Sequence, residues 1–556
     1  MFTNIWASAL SQVYLHFYFF SLFALVVFGF FFLIFSWQNN RSWLGFWYTK
    51  YSNLIVSLQF GLLYFTIFII FFNFFVTLKT GQTFKFLVSI LNADFSFFYF
   101  SLTSLNLFFL FMLSIVALLT TISFRTSRLE EQTVKQIQYF QVKHKEKREL
   151  FFNFQLILLQ FLLFIFFSTE DVFIFFISFE SSVLPLFAII AFFGKRSQKF
   201  KALAYLLYFT LLSAVPMFAV TIWLNISTGS SFYPEIQFLV RTNAFDFQQL
   251  LFCFLAFFIP FSVKFAFFPL HSWLPEAHVE ASTEGSMLLS GVMLKLGFFG
   301  LIKYCIGLFP GALFLVAPFV LSLALIGSFA ATLATYHQID VKKIIAYSSV
   351  VHMNLSLFGY LTLSSTALQA AIFMNFSHAI ISAGLFSSVG VLQDRVGTRM
   401  LPELCGLSKS LPIWSQIFFV LLLANAGVPG TVGFIAEAPL IWGCFTHFPY
   451  CGFLMLFPVS LMAFRNFVLF AQICWGVPYN YLTPVKLQSG TESKGSVILA
   501  KIWDISIFGE GFTPVVFAIL AVFLGIWPNF VLHLLNETAF QLENWYITFN
   551  KNLYLN

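Results

Sequence analysis

The sequence predicts an all-α polytopic membrane protein with about fourteen transmembrane helices. Composition is the first observation: 60% of the 556 residues are hydrophobic and only 9% are charged, whereas soluble domains are about 25% charged. The mean hydropathy of +0.88 is the second. The third is the recurrence of apolar runs of about 20 residues, the length at which a helix crosses a bilayer.

The predicted spans follow one another along the whole chain. The first apolar run is long enough to cross a membrane, so we expect a helix there rather than a cleaved secretory signal. Two connections are long and polar: Arg125 to Glu149, which is charged and helix-prone, and Pro478 to Lys501, which we expect to be a flexible loop. In chain order the spans are 15–36, 52–76, 95–123, 150–168, 171–193, 203–226, 247–270, 284–307, 311–335, 341–362, 366–392, 412–441, 451–475 and 511–534.

The positive charges alternate with the predicted spans. Of the 29 Lys and Arg residues, 21 lie in connections after odd-numbered spans and four lie at connections after even-numbered spans. Cytoplasmic or matrix loops carry the excess of Lys and Arg, so this bias assigns the odd connections to the inner face and both termini to the opposite face. One wrong span would scramble the alternation, so the pattern supports the count.

Four ionisable residues lie inside long apolar runs: Glu180, Lys264, Lys295 and Glu437. A single charge at the bilayer centre costs about 2.5–3.5 kcal/mol on insertion scales, so four such groups are expensive to keep. Buried groups of both signs indicate a proton or cation path through the membrane.

Two predicted spans contain helix breakers beside one of these charges. The seventh has Pro260 and Pro269 on either side of Lys264, and the twelfth has the run Ala426-Gly427-Val428-Pro429-Gly430 before Glu437. Proline removes a backbone hydrogen bond, and the freed carbonyls need protein or water as partners in a membrane. A charge beside a broken helix is typical of a transporter site at the membrane midplane. Simple proline kinks are the alternative.

The spacing of the two breaks predicts the domain organisation. The two broken spans are five positions apart in the series, which suits two inverted five-helix repeats with one broken helix each. We therefore divide the chain into residues 1–149 (three helices and a basic connection), 150–307 (first repeat), 311–475 (second repeat) and 476–556 (loop, last helix and tail).

The sequence shows no motif for a metal, a cofactor or a nucleotide. None of the six cysteines forms a C-x-x-C pair, and neither a Walker loop nor a G-x-G-x-x-G after a strand is present. We expect no redox centre, no metal and no cofactor in this chain, and no nucleic-acid partner. The 85 Phe residues favour an AT-rich genome such as that of an organelle, because Phe codons are rich in T.

Three stretches carry a resemblance to a known family. They are FPLHSWLPEAHVEASTEGSMLLSGVMLKLG, QIDVKKIIAYSSVVHMN and SHAIISAGLFSSVGVLQDRVGTR. They resemble signature stretches of the antiporter-like, proton-pumping membrane subunits of respiratory complex I. The resemblance is strong from about Asn153 to Leu440 and weak to Pro528. The family usually has proline and a small residue where this chain has Ser282 and Glu284.

The resemblance implies a proton path along six residues. Glu180 and Lys264 match the glutamate of the fifth helix and the lysine of the broken seventh helix, and Lys295 matches the lysine of the eighth. His352 and His378 match relay histidines, although a lone buried histidine is by itself more often a packing residue. Glu437 matches a glutamate that is usually lysine in sister chain 5, and that chain also continues into a long lateral helix, whereas this one ends at Asn556.

The implied roles follow from charge. Lys264 would carry the proton and Glu180 would tune it: a pair at about 4 Å and an effective dielectric near 20 is worth roughly 4 kcal/mol. Lys295 and the histidines would relay the proton to Glu437. A static ion pair between Glu180 and Lys264 is the alternative. His271 and His278 have no assigned role beyond structure or a position near a channel mouth.

The resemblance also implies the setting. The chain would be a subunit of mitochondrial NADH:ubiquinone reductase in the inner membrane, with NAD, FMN, iron–sulfur clusters and ubiquinone held by other subunits. Its neighbours would be sister chains 2 and 5, the lateral helix of chain 5, and lipids, including cardiolipin at the basic face. A subunit of a multi-subunit cation/proton antiporter and a purely structural membrane subunit are the alternatives.

Overall fold

The computed structural model describes most of the chain from Phe86 onward. The described residues are 86–90, 98–134, 142–194, 198–242, 245–362, 364–476, 504–507, 509–529, 531–536 and 539–540. The predicted spans 15–36 and 52–76, the loop from Pro478 to Lys501 and both termini therefore lie largely or wholly outside the described residues. Within the described part, ten helices are long and apolar enough to cross a membrane, and two further apolar helices are shorter.

The elements follow one another as a helical bundle preceded by one hairpin. Their bounds are β1 Phe86–Ile90, β2 Phe98–Leu102, α1 Ser104–Val134, α2 Val142–Ser168, α3 Val172–Ser181, α4 Val183–Phe193, α5 Lys199–Thr228, α6 Tyr233–Arg241, α7 Phe247–Lys264, α8 Trp273–Glu280, α9 Thr283–Ile306, α10 Pro310–His337, α11 Val341–Leu361, α12 Ser365–Val396, α13 Leu407–Ser410, α14 Pro412–Asn425, α15 Val432–His447, α16 Pro449–Cys474 and α17 Phe512–Ile526. Most of these helices begin and end within a few residues of the predicted spans.

The third predicted span, 95–123, was placed too early. β1 and β2 form an antiparallel hairpin in which Phe86 faces Leu102, and the helix begins only at Ser104. The helix starts at Ser104 because Thr103 caps it. The backbone N–H of Asn106 donates to Thr103 Oγ1 at 3.3 Å, which satisfies a free donor of the first helical turn. The apolar strand residues had the composition of a span, so hydropathy alone could not separate them from the helix.

The helices at the centre of the bundle differ from those at its edge. The apolar stretches of α9 and α12 are fully buried, and that of α11 is nearly so. In α5, α10 and α16, less than half of the apolar stretch is buried. The edge helices present large apolar side chains such as Leu212, Phe319 and Tyr450 to the outside. A chain in a bilayer would meet lipid with these edge helices, and its central helices would not.

Two helices are broken where the sequence predicted it. α7 ends at Lys264 and α8 resumes at Trp273, while α14 ends at Asn425 and α15 resumes at Val432. A third interruption was not predicted: α3 and α4 meet at Ser182, two residues after Glu180.

Candidate functional site

The first break holds Lys264 at the last position of α7. Its side chain is buried, and Nζ donates to the carbonyl oxygen of Phe179 and lies 3.5 Å from Ser182 Oγ. Nζ also lies 3.4 Å from the centre of the Phe179 ring. The break frees the carbonyl of Val263, and Trp273 Nε1 donates to it at 2.9 Å, so the irregular backbone is satisfied by protein groups.

Glu180 approaches Lys264 without a direct ion pair. Their charges attract each other, yet among the described residues no salt bridge joins them, and Lys264 contacts the residues on either side of Glu180 instead. Glu180 Oε1 is buried and has no hydrogen-bond partner. No hydrogen bond joins Glu180 to Lys264, and the Glu180 carboxylate keeps a buried oxygen free for water or for the lysine.

Lys295 contacts His378 on the neighbouring central helix. Lys295 Nζ lies 2.8 Å from His378 Nδ1 and also donates to the carbonyl oxygen of Ser290. Ser290 belongs to a π-helical turn, Leu289–Met293, that directly precedes the segment containing Lys295. Such turns are often found at functional sites. Both side chains of the pair are buried.

His352 continues the row from His378 to Glu437. The two imidazole rings lie 5.7 Å apart, and His352 Nδ1 lies 3.4 Å from Glu437 Oε1. The other ring nitrogen of His352, Nε2, lies 3.2 Å from Asn425 Oδ1. Asn425 in turn donates to Asn466 at 3.2 Å. Each histidine therefore has one polar neighbour on either side.

The second break positions Glu437. Gly427 has φ +65° and Gly430 has φ +89°, a region that side chains disfavour. A side chain at Gly427 would also collide with the Glu437 carboxylate, so the broken backbone lies directly against that group. A small cavity opens here, lined by His352, Met374, Ser377, His378, Ile381, Ala424, Asn425, Gly433 and Glu437.

The six predicted residues thus fall into two groups. Lys295, His378, His352 and Glu437 form one row, in which neither His378 Nε2 nor His352 Nδ1 makes a hydrogen bond. Glu180 and Lys264 form the other group. Lys264 and Lys295 share no hydrogen bond in the described part of the chain. Two serines lie beside the row: the Ser290 backbone carbonyl accepts from Lys295 Nζ, and Ser377 lines the cavity at His352 and His378.

Sequence reasoning missed several polar groups. Asn425 and Asn466 extend the row, and both are detectable as amides within apolar runs. Lys303 forms a buried ion pair with Glu170 at 3.3 Å, although its position suggested only a topology signal. His278 is fully buried against the Phe386 ring at 4.5 Å, and neither ring nitrogen has a hydrogen-bond partner.

Arg465 has the interhelical partner that the sequence could not name. Its Nε donates to the Thr335 carbonyl at 3.1 Å, and its guanidinium lies 5.6 Å from the Tyr336 ring. Both partners belong to α10, so Arg465 fastens α16 to that helix. Within the described residues, no group of three His, Cys, Asp or Glu side chains could hold a metal ion.

Comparison with known proteins gives independent evidence for the family of this chain. A family model described as NADH:quinone oxidoreductase/Mrp antiporter, transmembrane, matches residues 169–463, more than half of the chain. NADH-ubiquinone oxidoreductase chain 4 of Marchantia polymorpha is 35% identical over 63% of this chain and 70% of its own length. The corresponding protein of Chondrus crispus is 33% identical over 70% of this chain and 74% of its own length, and that of Arabidopsis thaliana is 40% identical over 51% and 57%.

Solved structures share the fold. A chain of respiratory complex I from Thermus thermophilus superposes with a TM-score of 0.73 at 20% identity and covers 95% of this chain and 99% of its own length. A chain of the Mrp complex from a Dietzia species gives a TM-score of 0.72 at 18% identity and covers 94% and 98%. The fold alone therefore does not separate these two kinds of complex.

Proposed function

The chain belongs to the NADH:quinone oxidoreductase/Mrp antiporter membrane family, and we propose that it is a chain-4-type, proton-translocating subunit of mitochondrial respiratory complex I. The row Lys295–His378–His352–Glu437 is the observation that carries this proposal. Electron transfer from NADH to ubiquinone, with its cofactors, belongs to other subunits, and this chain contributes the membrane path of the proton.

The row can pass a proton because each member can both accept and release one. A charged Lys295 donates to His378 Nδ1, and a neutral imidazole that takes a proton on one nitrogen can release the proton on the other. His378 Nε2 has no hydrogen-bond partner. It is the free nitrogen of that relay, while His352 Nδ1 lies against Glu437 at the far end.

The pair at the first break serves as the switch. Attraction by Glu180 stabilises the charge on Lys264, and burial opposes that charge. When Glu180 moves away, Lys264 releases its proton, and the proton travels toward Lys295. Because Lys264 and Lys295 share no hydrogen bond, this step needs water or a movement of the lysine side chain.

The remaining parts of the proposal concern the chain's surroundings. About fourteen helices would form two inverted five-helix repeats, residues 150–307 and 311–475, with the odd connections in the matrix and both termini in the intermembrane space. Sister chains 2 and 5, with the lateral helix of chain 5, would flank the bundle, and lipids, including cardiolipin, would cover the exposed faces of α5, α10 and α16.

A subunit of a multi-subunit cation/proton antiporter is the second candidate. The near-equal structural likeness to the Mrp complex favours it. Eight relatives that are 33–41% identical, all named NADH-ubiquinone oxidoreductase chain 4, favour complex I. Affinity purification of the native chain decides between them: recovery with NADH:ubiquinone activity and iron–sulfur subunits supports complex I, and their absence supports the antiporter.

The transport role is tested by Lys264→Ala in the assembled complex in vesicles. We expect assembly to persist while proton pumping and quinone-linked turnover fall by about tenfold or more, since a positioned proton-transfer group contributes at least that much. Lys409→Ala is the matched control, because Lys409 is an exposed lysine. Pumping by Lys264→Ala that equals the control would contradict the carrier role.

A further inference from the structure

A second polar cavity lies at the opposite end of α9 from its closing π-helical turn. The start of α9 meets the C-terminal halves of α1 and α12 there, together with the segment before α17. Hydroxyl and carboxyl groups supply most of its lining, which consists of Ser123, Thr126, Thr283, Glu284, Ser387, Gly390, Val391, Asp394 and Glu510. The charge bias of the sequence assigns this face to the odd connections, the proposed matrix side.

Glu284 is the unusual member of this lining. Only 6% of its surface is exposed, and its carboxylate forms no hydrogen bond or ion pair among the described residues. It follows Ser282, whose hydroxyl accepts from the Gly285 amide at 3.2 Å and caps the helix. The partial positive charge of a helix start favours a carboxylate at this position.

The packing of α9 against α12 keeps Glu284 aimed into the cavity. A side chain at Gly390 would collide with Thr283, so glycine at this position lets the start of α9 approach α12 closely. Arg395, on the same helix, pairs with Glu510, which fixes the segment before α17 as the remaining wall. Together with α1, these elements make four separate parts of the chain that build the cavity.

We propose that this cavity is a proton-collecting mouth and that Glu284 is the group that takes protons from matrix water. The inference rests on the proposed function and adds the place at which protons enter the chain from the matrix side. The Glu284 carboxylate binds a proton from water and releases it to a hydroxyl or water deeper in the cavity, so only a proton moves. The carboxylates are not arranged as a metal site in the described residues, whereas hydroxyl groups and water pass protons readily.

A ring contact connects the inner wall of the cavity with His278. Ser387 follows Phe386, whose ring stacks on His278, and His278 is close enough to Lys295 for their charges to interact. Arg395 offsets the charge of Glu510, which leaves Glu284 and Asp394 as the other carboxyl groups of the lining. An excess of one charge in a cleft raises the capture rate of the opposite ion by about 10- to 1,000-fold. This gain matters most when protons are scarce, that is, at alkaline pH.

Other ionisable groups surround Glu284 and bear on any pH profile. α4, which also packs near the start of α9, has no ionisable residue. The groups on the other elements around α9 are Arg125 on α1, Glu276, His278 and Glu280 on α8, Asp394 and Arg395 on α12, and Glu510 before α17. Glu284 differs from Asp394 and Glu510, each of which has further interactions.

The test compares pH profiles of the assembled complex in vesicles. Glu284→Gln should lose more pumping at pH about 9 than at pH about 6.5, with a loss of about threefold or more at pH about 9, because the charge that focuses protons is absent. Glu284→Asp should restore the alkaline rate. Glu235→Gln, an exposed carboxyl on α6, is the control and should not change the profile.

Each other outcome overturns the inference. A Glu284→Gln profile equal to that of the control shows that no proton passes this group, and a loss that is the same at every pH shows a structural role. If Glu284→Gln does not assemble, the near-isosteric Thr126→Val should give a smaller alkaline loss, and an unchanged profile refutes the mouth. Lys264→Ala, measured in parallel, distinguishes the two proposals. If Lys264→Ala loses pumping and Glu284→Gln does not, the proton-collecting role of Glu284 is rejected and the proposed function stands.

Discussion

Lys295 Nζ lies 2.8 Å from His378 Nδ1, so a lysine of α9 shares a hydrogen bond with a histidine of α12. An ammonium group only donates, so the charged lysine requires an imidazole nitrogen that carries no proton. A charge on Lys295 and a proton on His378 Nδ1 therefore exclude each other. A proton can therefore reach His378 Nδ1 only when Lys295 has given up its own charge.

His378→Gln should separate relay from packing. The amide oxygen of glutamine can still accept from Lys295, but an amide cannot take up and pass on a proton. We expect normal assembly and proton pumping lowered by about tenfold or more, measured as proton uptake per NADH oxidised in vesicles. His447→Gln, at an exposed histidine, is the control. Equal pumping by the two variants would assign His378 to packing.

Glu180→Gln should impair turnover because it removes the negative charge near Lys264 with almost no change of shape. We expect NADH:ubiquinone turnover to fall by about tenfold, equivalent to roughly 1.4 kcal/mol of lost attraction. Glu180→Asp should lose less, since it keeps the charge. Turnover of Glu180→Gln that equals that of Glu180→Asp would show that charge at this position is irrelevant.

Gly427→Ala tests the close approach of the second break to Glu437. Alanine there meets both the strain of a left-handed residue, about 1–2 kcal/mol, and a collision with the carboxylate. Gly397→Ala is the matched control, because Gly397 has φ +84° with no atom near an added side chain. We expect Gly427→Ala to lower activity and thermal stability of the complex further than Gly397→Ala. Similar losses would mean that strain alone matters.

The topology is tested with protease in intact mitoplasts. The connection from Arg125 to Glu149 should be protected from the outer face and cleaved only after the membrane is opened, because the charge bias assigns it to the matrix. An epitope tag at either terminus should be accessible without opening the membrane. Cleavage of the basic connection from outside would reverse the assignment.

The helices and their breaks were predictable because they leave local signals. A proline beside a buried lysine marks the end of α7, and a Gly-Val-Pro-Gly run before Glu437 marks the gap between α14 and α15. Lipid solvates no backbone group, so these local features dictate the structure almost by themselves. The strands β1 and β2 escaped prediction because their residues are as apolar as a span.

Contacts between distant residues were not predictable from one sequence. Nothing local indicates that Lys295 meets His378 while Lys264 meets the backbone at Phe179, because helix packing in three dimensions decides these pairs. The ion pair between Lys303 and Glu170 was not predictable either, because each residue is an isolated charge in the sequence. The inverted repeats remain a prediction, since their symmetry is a property of whole helices and not of any one contact.

The π-helical turn before Lys295 sets the direction in which that lysine points. A π turn contains one residue more than an α turn for each hydrogen-bonded ring, and one residue corresponds to about 100° around an α-helix axis. Removing a single residue from Leu289–Met293 would leave the composition and length of α9 almost untouched, yet it would turn Lys295 away from His378 relative to Glu284. The rotational offset between the two ends of α9 therefore depends on one extra residue, so we expect a one-residue deletion there to separate Lys295 from His378.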